Sequence, residues 1–272
     1  MIMTLPLEDN FNDVIGKAIR GLKLTPNEVA TRAGALPEQV QALSEGVFDD
    51  SVARKVAPVL NLGPESLVAV GQNRYRPAAI SIDGLAQFTT PFDDITVNSY
   101  LVWEPATGTA AAFDTGADSA PMLEFAAQHR LTIKLILLTH THGDHIFDLD
   151  RLKAKTGASA FVPEREPIDG AQPFAAGHTF QIGNLRVETR LTWGHSKGGI
   201  TYLVNGLSRP VAVVGDAIFA GSMGGGIVSY ADALNTNREQ ILTLPDETVI
   251  CPGHGPLTTV GEEKRNNPFF AG

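Results

Sequence analysis

Ile133-Lys134-Leu135-Ile136-Leu137-Leu138-Thr139, running directly into His140-Thr141-His142-Gly143-Asp144-His145, decides how this chain reads. A short apolar run predicts a strand, and gathering polar residues at a strand's end is how α/β folds build their sites. Four potential metal ligands within six residues are hard to explain as packing, because imidazole and carboxylate are the ordinary ligands of divalent metals. Alternate residues at a strand end point to one side, so His140 and His142 are expected to converge on one metal. Asp144 and His145 leave the turn in another direction, which implies two sites.

Three further candidates lie downstream, each beside glycine: His195 in Trp193-Gly194-His195-Ser196-Lys197-Gly198-Gly199, Asp216 in Val213-Val214-Gly215-Asp216, and His254 in Pro252-Gly253-His254-Gly255-Pro256. A glycine lets backbone approach a metal without Cβ interference. A single histidine beside glycine is more often a turn residue than a ligand. Five of the seven histidines fall in these motifs, however, and five His with two Asp satisfy two metal ions that share one carboxylate.

Outward from the motifs, two textures appear. Residues 1–74 read as a small all-α unit of four or five helices: Asn12 to Ile19 carries apolar residues at helical spacing, and Thr25-Pro26-Asn27-Glu28 supplies an N-cap, a proline at N1 and an acid at N3. Gly34, Gly46 and Gly63 stop successive helices. Residues 75–272 alternate short β-rich runs with helices. Strands are expected at Val97 to Trp103, Thr109 to Phe113, Ile133 to Leu138, Arg186 to Thr192, Val211 to Val214 and Thr248 to Ile250, and helices near Ser119 to His129, Leu149 to Thr156 and Ala231 to Leu242. The fold class expected is α+β.

With 272 residues and 43% hydrophobic content the chain can bury a real core, and its net charge of -9 argues against nucleic acid or an acidic membrane as the main partner. Met1 to Asn10 lacks a basic, then apolar, leader pattern, and no apolar run approaches the roughly 20 residues of a spanning helix, so a cytoplasmic protein without a membrane partner is expected. One cysteine, Cys251, forms no internal disulfide and is expected to be a small buried residue.

The histidine hexad, Gly194-His195-Ser196, Gly215-Asp216 and Pro252-Gly253-His254-Gly255 occur in an order that resembles the metallo-β-lactamase superfamily. Within it the chain is similar to bacterial type II glyoxalases, the hydroxyacylglutathione hydrolases, through Val97-Asn98-Ser99-Tyr100-Leu101-Val102, Phe113-Asp114-Thr115-Gly116, Gly215 to Ser222 and Gly253 to Glu263. The resemblance implies an αββα sandwich with a dinuclear site at one edge of the sheets. His140, His142 and His195 would hold one metal, Asp144, His145 and His254 the other, and Asp216 would bridge them. Asp114 is similar to an aspartate that orients a ligand loop from behind; its alternative reading is a turn-forming residue before Thr115-Gly116. The implied cofactors are two divalent metal ions, zinc first, with iron or manganese as alternatives. The implied reaction is hydrolysis of a small-molecule thioester, a 2-hydroxyacyl thiol ester such as lactoylglutathione, by a hydroxide between the metals that Asp144 helps to aim. A mononuclear iron persulfide dioxygenase and a lactonase or other ester hydrolase are the rival enzymes.

The first 70 residues depart from that family. Leu22 to Gly34 with Pro37 to Gly46 resembles the helix-turn-helix of phage-repressor-type regulators, which makes a DNA-binding regulator the rival that is not an enzyme. Pro37 to Glu45, in the recognition position, holds two acids and no Lys or Arg, and residues 1–76 hold 8 Lys+Arg against 9 Asp+Glu. Phosphate contacts demand cations, so homodimerisation or walling the active site is expected of this unit instead of nucleic-acid binding. His129 and His178 are expected to face solvent. Lys197 and Tyr230 could reach a substrate carboxylate, with no geometry in the sequence to assign them.

Overall fold

The computed structural model describes residues 5–271. Five helices come first: α1 (Phe11–Leu22), α2 (Pro26–Ala33), α3 (Pro37–Ser44), α4 (Asp50–Val59) and α5 (Pro64–Gly71). The start of α2 is a reciprocal capping box, Thr25 Oγ1 accepting from Glu28 N and Glu28 Oε2 from Thr25 N, and Gly34 ends the helix with a φ of 61°. On α1, Phe11, Val14, Ile15, Ala18 and Ile19 recur at helical spacing and are all buried. That stripe does not close a core with the other four helices alone. Tyr75, Ala220, Met223, Tyr230, Ala233 and Phe269 complete it.

Two six-stranded sheets follow. The first runs in the order β1 (Leu85–Phe92), β2 (Ile95–Trp103), β3 (Thr109–Phe113), β4 (Thr132–Leu137), β5 (Ser159–Pro163), β6 (Gln172–Phe174). It opens as an antiparallel meander and turns parallel from β3 onward. Parallel neighbours require crossovers: α6 (Ala120–Gln128) joins β3 to β4, the single turn α7 (Gly143–Ile146) and α8 (Leu149–Thr156) join β4 to β5, and a loop joins β5 to β6. The second sheet holds β7 (Thr179–Ile182), β8 (Leu185–Leu191), β9 (Ile200–Asn205), β10 (Val211–Gly215), β11 (Val249–Pro252) and β12 (Thr258–Thr259), antiparallel except between β10 and β11. Between those two strands lie α9 (Tyr230–Thr236) and a π-helical turn at Asn237–Ile241, and α10 (Val260–Asn266) follows β12.

Burial fixes the layering. Tyr100, Val102, Phe113 and Leu137 of the first sheet pack against Val187, Tyr202, Val213 and Cys251 of the second. The outer face of the first sheet is covered by Met122, Ala126, Leu149 and Leu152 of its helices, and that of the second by Ile241, Leu244 and Val260. The order is helix, sheet, sheet, helix. A strand covered on both faces reads as an unbroken apolar run, which is why β10, buried at every position, was legible in the sequence. Among the described residues, no helix is long and apolar enough to cross a membrane.

Three expectations about elements need correction. β6 and β12 are too short to carry a periodic signal, and β1, β5, β7 and β9 were not anticipated either, because mixed polarity or neighbouring turn residues obscured them. The helix expected through Leu242 changes at Asn237 into a π turn, a form found where a helix must admit an extra residue. Buried Asn237 there donates through Nδ2 to the carbonyl of Ala217, 2.6 Å away and next to Asp216. The last expected strand is shifted toward the site, ending at Pro252.

A fully buried carboxylate ties α10 to the rest. Glu263 accepts from Tyr75 Oη (2.7 Å), Thr258 Oγ1 (2.7 Å), Gly221 N (2.9 Å) and Asn267 Nδ2 (2.9 Å). Burial pushes its pKa up despite these donors. Glu263→Ala would remove the acceptor of Tyr75, Thr258 and Gly221, while Asn267 Nδ2 keeps Ser222 O at 2.7 Å, and is expected to cost roughly 3 to 5 kcal/mol, and Tyr75→Phe about 1 kcal/mol, both read from urea unfolding followed by circular dichroism.

Candidate metal centre

All seven residues expected as ligands meet at one edge of the two sheets. His140 follows β4, His142 caps α7, and Asp144 and His145 occupy that single turn. His195 comes from the loop between β8 and β9, Asp216 stands directly after β10, and His254 directly after β11. These are the carboxyl ends of strands, where backbone leaves the ladder and side chains from separate strands can converge.

Two groups form. His140, His142, His195 and Asp216 make one, and Asp144, His145 and His254 the other, each group's donor atoms lying within 4.8 Å of one another. In the first, His142 Nδ1 sits 3.1 Å from His140 Nε2 and 3.0 Å from His195 Nε2. In the second, Asp144 Oδ2 is 3.3 Å from His254 Nε2 and 3.5 Å from His145 Nε2. Asp216 reaches both: its Oδ2 lies 3.3 Å from His195 Nε2 and 3.4 Å from His254 Nε2, and its Oδ1 3.3 Å from His145 Nε2.

The far side of three rings, those of His145, His195 and His254, is held in place. Asp114, left-handed at φ 57°, accepts from Thr139 N (2.7 Å) and Thr139 Oγ1 (2.7 Å), and its Oδ2 lies 2.8 Å from His145 Nδ1. The carboxylate thus holds Nδ1 of His145 and leaves Nε2 facing the site, and the left-handed turn at Asp114 is part of that placement. His195 Nδ1 pairs with the carbonyl of Gly225 (2.9 Å) and His254 Nδ1 with that of Thr96 (2.7 Å). Gly253 has to be glycine, since a Cβ there would come within 2.1 Å of Asp216 Oδ1.

Two positioning groups were not anticipated. Glu166, in the loop after β5, accepts from Thr141 N (2.9 Å), Thr141 Oγ1 (2.9 Å) and Gly198 N, bridging the loop that carries His140 and His142 to the one that carries His195. Burial raises its pKa, but the donors of Gly198 and Thr141 outweigh burial and leave it below the usual carboxylate range. In sequence it sits in Glu164-Arg165-Glu166, which reads as a solvated turn. Buried Asn98 spans the sheets instead, its Nδ2 donating to Pro252 O (3.0 Å) and Gly255 O (2.8 Å) around His254. Its partners are remote in sequence, so only the fold reveals them.

Two observations fit this donor set to cations. His145 Nε2 and Asp216 Oδ1 are both buried without a hydrogen-bond partner among the described residues, a costly arrangement for polar atoms unless a further group satisfies them. The protein's own charges point the same way. Burial, with neighbouring His145, pushes the His140 pKa well down, which keeps a lone pair free. Burial opposes charge on His145 and His254 as well, yet Asp216, with Asp114 for His145 and Asp144 for His254, outweighs it and pushes them up to about 10 and about 11. The carboxylates therefore draw positive charge to the second group, and a cation and a proton compete there for the same nitrogen atoms.

The other candidates fall outside. Tyr230 is buried in the core of the N-terminal helices, its ring against Gly21, which corrects the idea that it reaches substrate. Lys197, His129 and His178 are exposed, and Cys251 is buried.

Comparison with known proteins follows the same outline. A family model described as the metallo-beta-lactamase superfamily matches residues 93–254, more than half of the chain. The chain is similar to the probable metallo-hydrolase YqgX of Bacillus subtilis, at 30% identity over 208 residues, covering 67% of this chain and 96% of that protein. It is also similar to the hydroxyacylglutathione hydrolase GloC of Haemophilus influenzae, at 27% identity over 198 residues, 64% of this chain and 92% of that one. Among solved structures, that of ETHE1 from Myxococcus xanthus superposes with a TM-score of 0.61 at 25% identity, covering 68% of this chain and 84% of that one.

Asp216→Ala is expected to lower the content of both metals, measured by elemental analysis after dialysis, whereas Asp144→Asn should weaken the second metal selectively and preserve the fold. Glu166→Ala loosens the frame behind the first group and is expected to weaken metal affinity by about 10- to 100-fold in a competition titration, with unfolding changed far less than in Glu263→Ala.

Proposed function

The chain belongs to the metallo-beta-lactamase superfamily, and within it we propose a dinuclear metal-dependent thioesterase of the type II glyoxalase kind, acting on a 2-hydroxyacyl thiol ester. The observation that carries this reading is the complete second group: Asp144, His145 and His254 stand beside the first group and share Asp216 with it. A mononuclear centre would need only half of these donors. Zinc is the first candidate, with iron or manganese suited to the same His and Asp ligands.

Two divalent cations held here would make hydroxide available near neutral pH and polarise a carbonyl oxygen. The chain's own residues then supply position. Asp216 joins the two groups, so whatever binds in one is kept in register with the other. Asp144, with Oδ2 turned toward His254, can accept a hydrogen bond from the attacking water and aim it at the thioester carbonyl. Asp114, Thr96 and Gly225 lock the rings of His145, His254 and His195, so little reorganisation is needed as charge develops on the carbonyl oxygen. The C–S bond breaks to release a thiolate whose conjugate acid has a pKa of about 8.5, so departure needs little help from a proton donor. Similarity to GloC, named a hydroxyacylglutathione hydrolase, supports the same substrate class.

The test couples elemental analysis of the purified protein with a panel of lactoylglutathione, a β-lactam, a homoserine lactone, and glutathione persulfide under oxygen monitoring. Two metals per chain with preferential hydrolysis of lactoylglutathione or a related thioester is the expected result. One iron per chain with oxygen uptake on the persulfide would overturn it, as would preferential opening of the lactone or the β-lactam.

A further inference from the structure

The segment that leads into α1 runs alongside the metal centre. Leu5, Pro6, Leu7, Asp9 and Asn10 line a cavity of about 260 Å³, whereas Glu8, alone in this stretch, does not. Its main chain instead abuts the residue after His254: a Cβ added at Gly255 would meet Glu8 N at 3.1 Å and Glu8 Cβ at 3.5 Å. The segment is pinned on that side. Asp9 accepts from Ser222 Oγ and pairs with Lys17, and Lys17 Nζ donates to Met223 O at 2.8 Å. Lys17 also lies 5.2 Å over the ring of Phe219, which meets the His254 ring edge to face with centroids 5.6 Å apart.

Glu8 is half-buried, and its carboxylate makes no hydrogen bond or ion pair among the described residues. Lys17 on α1 is already committed to Asp9. Burial raises the Glu8 pKa while His254 lowers it and Asp9 and Asp216 raise it, so its charge is felt at the centre and the centre's charge at Glu8. The matched region begins only at residue 93, so this carboxylate belongs to a part of the chain that the family model does not cover.

We propose that Glu8 is a specificity-determining residue: the N-terminal segment holds it against the residue after His254, and its carboxylate, unpaired among the described residues, selects substrates whose neighbouring arm carries an ammonium or a neutral hydrogen-bond donor and disfavours arms that carry a carboxylate. This rests on the hydrolase reading for the word substrate, but the charge preference belongs to the site whatever bond is cleaved. A carboxylate left without a partner at a partly desolvated mouth attracts a cation and repels an anion more strongly than the same charge in open water.

Four thioesters test it, with the charge placed once on each arm: acetyl esters of cysteamine and of 3-mercaptopropionate, and β-alanyl and succinyl esters of a neutral thiol. Their kcat/KM values are compared with binding of the matching non-hydrolysable thioethers to metal-loaded protein by calorimetry. Wild type is expected to favour the cation over the anion on one arm by about tenfold or more, Glu8→Gln to bring that ratio close to one and Glu8→Lys to reverse it, at unchanged metal content. Ratios that move by less than twofold in Glu8→Lys would overturn the proposal, as would loss of metal in Glu8→Gln, which would make Glu8 a ligand. If no thioester is cleaved but thioether binding still follows charge at residue 8, the hydrolase reading fails and this one stands.

Discussion

A buried carboxylate cannot keep its charge in a protein interior without an answering charge, and Asp216 is the place where this chain meets that constraint. It stands at the end of a strand buried at every position, 8% exposed, with imidazoles from three other loops around it. Burial alone would raise its pKa, but His145 and His254 outweigh burial and hold it well below the carboxylate range. Because Asp216 touches both groups, the same electrostatic condition that keeps it ionised also draws positive charge to both. The architecture around it can be understood as the means of bringing those loops to one point and holding them there.

The holding is done mostly from behind and mostly by neutral or already satisfied partners. Asp114 spends its carboxylate on Thr139 and His145, Glu166 on the two ligand loops, and Asn98 on the carbonyls flanking His254. Each joins segments that belong to different strands. The N-terminal helices join the same scheme from outside. Their core is completed by α9 and by residues following Asp216, so the wall that carries Glu8 is packed onto the elements that position the ligands.

Legibility followed physical locality. The ligands were readable because each stands beside a glycine or at the end of an apolar run, and a buried strand announces itself by composition without reference to its neighbours. α1 and α2 were readable for the same reason, the first from its apolar spacing and the second from a cap made within four residues. Glu166 gave no signal, since an acid in a charged turn looks alike whether it faces water or two backbone amides. The π turn at Asn237 was hidden too, because its driving contact is with the carbonyl of Ala217, twenty residues away. β6 and β12 exist only because an edge was available to pair with, so their own residues carry almost no pattern.

The sequence by itself pointed to the donor inventory, to the separation of His140 and His142 from Asp144 and His145, and to the family resemblance that implies the rest of the grouping, because metal chemistry limits which side chains serve and glycine marks where backbone must come close. The tertiary structure alone decided which carboxylate and amide groups hold the ligand loops from behind, that Tyr230 belongs to a core, and that Glu8 lies against the residue after His254. Those facts depend on distances between segments more than two hundred residues apart, and no local periodicity encodes them: they are set by which faces of the sheets and helices can be buried together.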